Sequence, residues 1–170
     1  MMLITIHRRK YLSVGVLLCC LFSVVIYAKE EGVVGRTLKN RKGCTCHNEV
    51  PSADVLVSIS GPDTLHVDRS ALYTATISNL STKAAGNNLA ASNGALFPVS
   101  GDLKKLKSEL TYTSPKYFSS GKVTFQFSYS APKTAGEQYL FASGNIADMN
   151  GKKTGDSWNH ALTKKITIVN

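Results

Sequence analysis

The chain has 170 residues, a formal net charge of +9 and four cysteines. That length supports one domain with a hydrophobic core of its own. Three of the 20 Lys and Arg residues sit at the extreme N-terminus, and the net charge left without them is too modest to call for nucleic acid.

The first ten residues carry Arg8, Arg9 and Lys10 and no acid. An apolar run follows from Leu12 to Ile26, broken only by Ser13, Gly15 and Ser23, and then Tyr27-Ala28 gives way to Lys29-Glu30-Glu31. A basic start, an apolar stretch and a small residue before a polar shift form a cleavable secretory signal. The run is short of the roughly 20 residues that a membrane span needs. Leu18 precedes Cys19 where a lipid-attachment motif has a small residue. The reading is a signal peptide over 1–28, cut after Ala28, and a protein at work outside the cytoplasm, periplasmic or extracellular. It meets the membrane only during export.

Cleavage leaves 17 basic and 11 acidic residues, a net of +6, and removes Cys19 and Cys20. Cys44 and Cys46 alone remain, too close in sequence to staple distant parts of a fold. Residues 29–53 read as an extended N-terminal segment. Its basic cluster, Arg36, Lys39, Arg41 and Lys42, is either a solvated tail or a positive collar for an acidic partner.

From residue 54 to 170 the hydrophobic period is two. Val55, Val57 and Ile59 share a face, Tyr73, Ala75 and Ile77 share another, and Val123, Phe125, Phe127 and Tyr129 alternate with Thr124, Gln126 and Ser128. Glu137–Ser143 and Ala161–Val169 are two further strands; 88–92, 95–98 and 109–113 are weaker ones. Residues 104–110 allow one turn of helix. About seven or eight short strands with turn residues between them predict an all-β, antiparallel, immunoglobulin-like sandwich. Residues 144–160 read as a long polar loop between the last two strands, of the kind that often carries function. Asp148, Asn150 and Asp156 within it offer oxygens to calcium, at spacings that match no complete calcium loop. Trp158, the single tryptophan, is expected to be buried against the core.

The chemical motif is Cys44-Thr45-Cys46-His47. Covalent haem attachment uses Cys-x-x-Cys-His: two thiols add to the porphyrin vinyl groups and the adjacent histidine becomes an axial ligand. Here Cys46-His47 is kept and the spacer is one residue shorter. The leading expectation is haem c on Cys44 and Cys46, with His47 proximal and Met149, His160 or His66 as sixth ligand. Other readings stay open at this point. A local Cys44–Cys46 disulfide requires the chain to bend, since two extended steps span about 6.6 Å. A copper or zinc site would take Cys44, Cys46 and His47, with His66 or His160 completing it. A free dithiol is disfavoured in an oxidising compartment. No nucleophile–base pair or phosphate loop occurs at recognisable spacing, so the chain does not read as an enzyme.

Several segments together resemble one secreted bacterial family. They are Gly35-Arg36-Thr37, Gly43-Cys44-Thr45-Cys46-His47, Leu110 to Lys116, Phe125 to Pro132, Ala142 to Asn145 and Thr154 to Asn159. On them the chain resembles the choice-of-anchor V domain family, which is similar in outline to Reeler domains, over nearly the whole mature length. The resemblance implies a Reeler-like β-sandwich, export, and a cysteine–histidine motif near the start. The function expected is an electron-transfer or haem-binding module that docks a redox partner through the basic collar. The alternative is a structural or interaction module of the cell surface.

Overall fold

The computed structural model describes residues 32–46, 48–80, 82–152 and 154–170. The signal peptide assigned to 1–28 and His47 lie outside the described residues. The described chain forms strands joined by turns, and no helix in it is long and apolar enough to cross a membrane.

The described residues form twelve strands: β1 (Leu56–Ser60), β2 (Thr64–His66), β3 (Ser70–Ser78), β4 (Ala84–Ala91), β5 (Ala95–Pro98), β6 (Leu103–Leu106), β7 (Glu109–Tyr112), β8 (Lys116–Tyr117), β9 (Lys122–Ser130), β10 (Gly136–Ala147), β11 (Ser157–His160) and β12 (Lys164–Val169). They form two stacked sheets. The smaller has the order β1-β3-β9-β5; the larger has β2-β12-β10-β4-β7-β6, with β11 on β10 and β8 on β4. The sandwich is therefore as expected. Its strand number exceeds the expected seven or eight because β2, β6, β8 and β11 are too short to show a period of their own. One pairing, β2 with β12, is parallel.

The period-two segments build the core as the alternation predicts. Tyr73, Ala75 and Ile77 face Phe127, Phe125 and Val123 across the β3–β9 ladder, all buried. The Tyr73 ring stacks on Phe127 at 5.8 Å and meets Tyr129 edge-on at 6.1 Å. Such pairs add to the stabilisation from area alone. Leu89, Leu110, Leu140, Ala142, Ile146, Ile166 and Ile168 close the core from the larger sheet. Both core phenols reach outward to loop carbonyls, Tyr73 to Pro62 at 2.9 Å and Tyr129 to Asn93 at 3.0 Å. A buried hydroxyl needs such a partner.

Three local expectations are corrected. Residues 104–110 form no helical turn; they are the β6–β7 hairpin, turning at Lys107 with φ of 58°. Leu103 and Leu110 are buried at its two ends, so tertiary burial outweighs local propensity. The 144–160 loop is largely strand as well. Residues 143–146 of β10 pair with 157–160 of β11, and only 148–156 form a tip. The alternation there is hidden in the sequence because most of its outward side chains, Ser143, Asn145 and His160, are polar. The described part of the 29–53 segment is packed on the larger sheet rather than simply extended, as set out below.

Phe125→Ala is expected to lower unfolding free energy by about 3–5 kcal/mol, the usual cost of an aromatic cavity. Against a total of about 5–15 kcal/mol that is a large fraction. Urea denaturation should show a lower midpoint, and a variant within 1 kcal/mol of the parent, about the scale of a tolerated core swap, would contradict the core assignment.

Candidate functional site

Strand alternation gives each face of the larger sheet its own side chains. On β10, Leu140, Ala142 and Ile146 point into the core, so Ser143 and Asn145 point to the opposite face. Register extends that outer row across three neighbours. His160 of β11 lies opposite Ser143, Asn88 of β4 lies on its other side, and Thr111 of β7 lies beyond Asn88. Trp158 flanks Asn145 in the adjacent row. An outer sheet face ordinarily meets water. Here Ser143, Asn88, Thr111 and Trp158 are all buried.

The N-terminal segment covers them. Gly32 is buried against Thr111, with no room for a Cβ, and the Gly35 amide donates to the Glu109 carboxylate at 2.7 Å. The Lys39 ammonium donates to the Ala91 carbonyl at 2.6 Å. Gly43 sits against the Trp158 indole, where a Cβ would lie only 2.0 Å from a ring carbon. The Trp158 indole N–H donates to the Asn48 carbonyl at 2.8 Å, and the Ser52 amide donates to the Trp158 carbonyl at 2.8 Å. The segment thus crosses the sheet from β7 over β4 and β10 to β11. Trp158 is buried as expected, but beneath this segment rather than in the core.

The motif lies at the end of that crossing. The Cys44 sulfur is 3.4 Å from the Ser143 hydroxyl and 3.8 Å from the Arg36 carbonyl, whereas Cys46 is exposed. No disulfide joins them; both are free thiols. The local disulfide, one of the readings the sequence leaves open, is not formed in this arrangement, where Cys44 is turned to Ser143 and Cys46 toward solvent. Burial pushes the Cys44 thiol above its ordinary pKa, partly offset by the Ser143 hydrogen bond and the Arg36 charge. Burial likewise raises Tyr112, which lies beside Cys44 and takes hydrogen bonds from Gly32 and Asn145. Such a thiol is held protonated, and the thiolate is the reactive form.

The remaining expected site residues separate. His160 stands on the outer face beside Ser143, and its Nδ1 is buried without a hydrogen-bond partner. Asn88 shares that condition at Nδ2. Sequence reasoning passed over Asn88 and Ser143, which carry no motif; only the register makes them part of the site. His66 lies on β2 opposite Val169, at the Gly136 end of β10. Seven strand steps, about 23 Å, separate that end from Ser143, so His66 is too remote to be a ligand at Cys44 or Cys46. Its Nδ1–H donates to the Asn170 carbonyl at 2.6 Å instead. Met149 is 43% exposed at the β10–β11 tip, with φ of 60°. The Asp148 carboxylate accepts from the Asn150 backbone and side chain, at 3.0 and 2.7 Å. Its oxygens are thus engaged by the loop itself. Among the described residues no three His, Cys, Asp or Glu side chains converge as a metal site.

The basic cluster divides too. Arg36 turns back to the Gly43 carbonyl and Thr45 hydroxyl, each at 3.5 Å, and Lys39 is engaged by Ala91. Arg41 and Lys42 are exposed on the turn closed by Leu38 and Lys42. A doubly attached haem c does not fit this geometry. Both sulfurs would have to face one porphyrin, and the residues around Cys44 are polar and already packed.

No protein-family model and no curated protein sequence matches the chain. Solved structures similar to it include the CARDB domain of the PF1109 protein from Pyrococcus furiosus in complex with di-metal ions. That match is 18% identical, covers 73% of this chain and 97% of that one, and has a TM-score of 0.41. Escherichia coli alpha-2-macroglobulin, from domain MG7 to the C-terminus, matches at 18% identity and a TM-score of 0.43, over 68% of this chain and 16% of that one. Salmonella alpha-2-macroglobulin reacted with methylamine matches at 16% and 0.40, over 69% and 7%. The chain therefore spans a small fraction of the macroglobulins.

Gly43→Ala is expected to lift the segment from Trp158 while leaving the sandwich folded, at a cost of about 1–3 kcal/mol typical of overpacking. Tryptophan emission should shift to the red with unchanged far-ultraviolet dichroism; unchanged emission would contradict the seat. The pH sign follows from Cys44 and Tyr112, whose folded pKa values are raised. Their contribution to docking is complete below the ordinary thiol pKa and is lost as pH rises through the higher folded values. Trp158 emission should hold through neutral pH and shift to the red only in alkali.

Proposed function

We propose that the chain is an exported, non-enzymatic β-sandwich module that acts by interaction outside the cytoplasm. The observation that carries this reading is the covered outer face. The motif with the most reactive chemistry in the chain is folded down as part of a structural cover, its first thiol packed against Ser143. Arg41 and Lys42, exposed on the cover, offer positive charge to an acidic partner at the cell surface. Membership of the choice-of-anchor V family, suggested by the motif segments, is part of the same proposal, as is cleavage after Ala28.

A haem-carrying electron-transfer module is the second reading, favoured by one observation: Cys46 is exposed and precedes His47 in the chain. In that reading attachment falls on Cys46 alone. Intact mass and visible absorption of the protein recovered from the extracytoplasmic fraction decide between them. The expected result is a polypeptide beginning at Lys29, with the mass of the unmodified sequence and no Soret band. A haem adduct on the polypeptide would overturn the interaction reading in favour of the second, and a chain still beginning at Met1 would overturn export by cleavage.

A further inference from the structure

Two thiols one residue apart occupy different environments, Cys44 half-buried against Ser143 and Cys46 exposed, and the residue before the first is wedged on the only tryptophan. A bond between the two sulfurs requires both to reach one place. Cys44 must leave Ser143, or Cys46 must be drawn beneath the cover where Cys44, Tyr112 and Ser143 already pack. Either movement rebuilds the turn at 43–46, held by the Thr45 amide donating to the Gly43 carbonyl at 2.9 Å. Gly43 is in that turn, and its place on Trp158 tolerates not even a methyl group.

We propose that residues 43–46 form a redox-sensitive latch: the reduced Cys44 thiol holds the N-terminal cover on the sheet, and closure of the Cys44–Cys46 disulfide releases it. The oxidant is a small disulfide such as oxidised glutathione. The exposed Cys46 thiolate attacks one of its sulfurs, the S–S bond breaks, and one glutathione leaves with a proton as a thiol. When the cover lifts, the Cys44 sulfur loses its proton and attacks the Cys46 sulfur, expelling the second glutathione. Two protein thiols are oxidised and one disulfide is reduced to two thiols. The first step needs no movement, and the second waits on local opening, so the two are separated in time. Release uncovers the outer row of the sheet, where His160 Nδ1 and Asn88 Nδ2 lack partners in the docked state. The latch depends on the docked geometry and is independent of which partner the module binds.

The test treats the reduced protein with oxidised glutathione, mapping each cysteine by peptide mass while following Trp158 fluorescence and its quenching by acrylamide. Cys46 should acquire a glutathionyl group at least about tenfold faster than Cys44 reacts, the protection of a modest local opening. The later internal disulfide should appear together with red-shifted, more quenchable Trp158 emission, and reduction should reverse both. Gly43→Ala, which opens the cover without oxidant, should abolish the rate difference between the cysteines. Cys46→Ser should leave Cys44 protected and the emission unchanged under oxidant. The latch is overturned if Cys44 reacts as fast as Cys46 in the parent protein. It is equally overturned if the disulfide closes with Trp158 emission unchanged, or if Gly43→Ala opens the cover and Cys44 stays protected. A mass showing haem on Cys46 in the recovered protein would overturn the proposed function alone; the same kinetics on protein produced without haem would still judge the latch.

Discussion

A backbone without a side chain rests on the flat face of an indole where Gly43 meets Trp158, and this close approach organises the whole outer side of the larger sheet. With the wedge in place, the chain from Gly32 to Ser52 can cross four strands and bury a polar row that would otherwise face water. The indole N–H then finds a carbonyl at Asn48, and the Trp158 carbonyl finds the amide of Ser52. A tryptophan buried on a sheet surface needs both an apolar lid and a hydrogen-bond partner. The same short segment supplies the two.

This arrangement makes the larger sheet the middle of three layers. Its inner face carries Leu89, Leu110, Leu140 and Ile166 toward the smaller sheet, and its outer face carries Thr111, Asn88, Ser143 and His160 toward the cover. The inner contact is apolar and non-directional, so it supplies most of the stability. The outer contact is polar, and each hydrogen bond there adds only about 0.5–1.5 kcal/mol. Local opening therefore concentrates in the cover while the sandwich stays closed. Placing the cysteines in that weaker layer couples their chemistry to a movement the core does not have to share.

Much of the architecture is legible from residues alone. The alternation at 72–78 and 122–129 marks β3 and β9 and names the side chains that meet in the core, because one buried face imposes period two. It catches only the second half of β4, as the weak segment 88–92, because Gly86-Asn87-Asn88 shows no apolar rhythm, and it misses β11, whose outward Trp158 and His160 resemble a polar loop. The candidate site is legible only as a motif. Cys44 and Cys46 are evident, and their difference is not: which sulfur is buried depends on Ser143, 99 residues away. The remote position of His66 likewise follows from the parallel pairing of β2 with β12.

The amino-acid order by itself determined an all-β fold, its principal strands and the location of the reactive tetrapeptide, since local periodicity and spacing are properties of neighbours in the chain. The tertiary structure alone decided that Cys44 is half-buried and Cys46 exposed. It also decided that the basic cluster turns Arg36 back onto its own segment, ties the exposed Lys39 to the Ala91 carbonyl and leaves Arg41 and Lys42 out, and that the N-terminal segment is a cover. Those outcomes depend on register between strands far apart in sequence, and register is set only when the whole core closes.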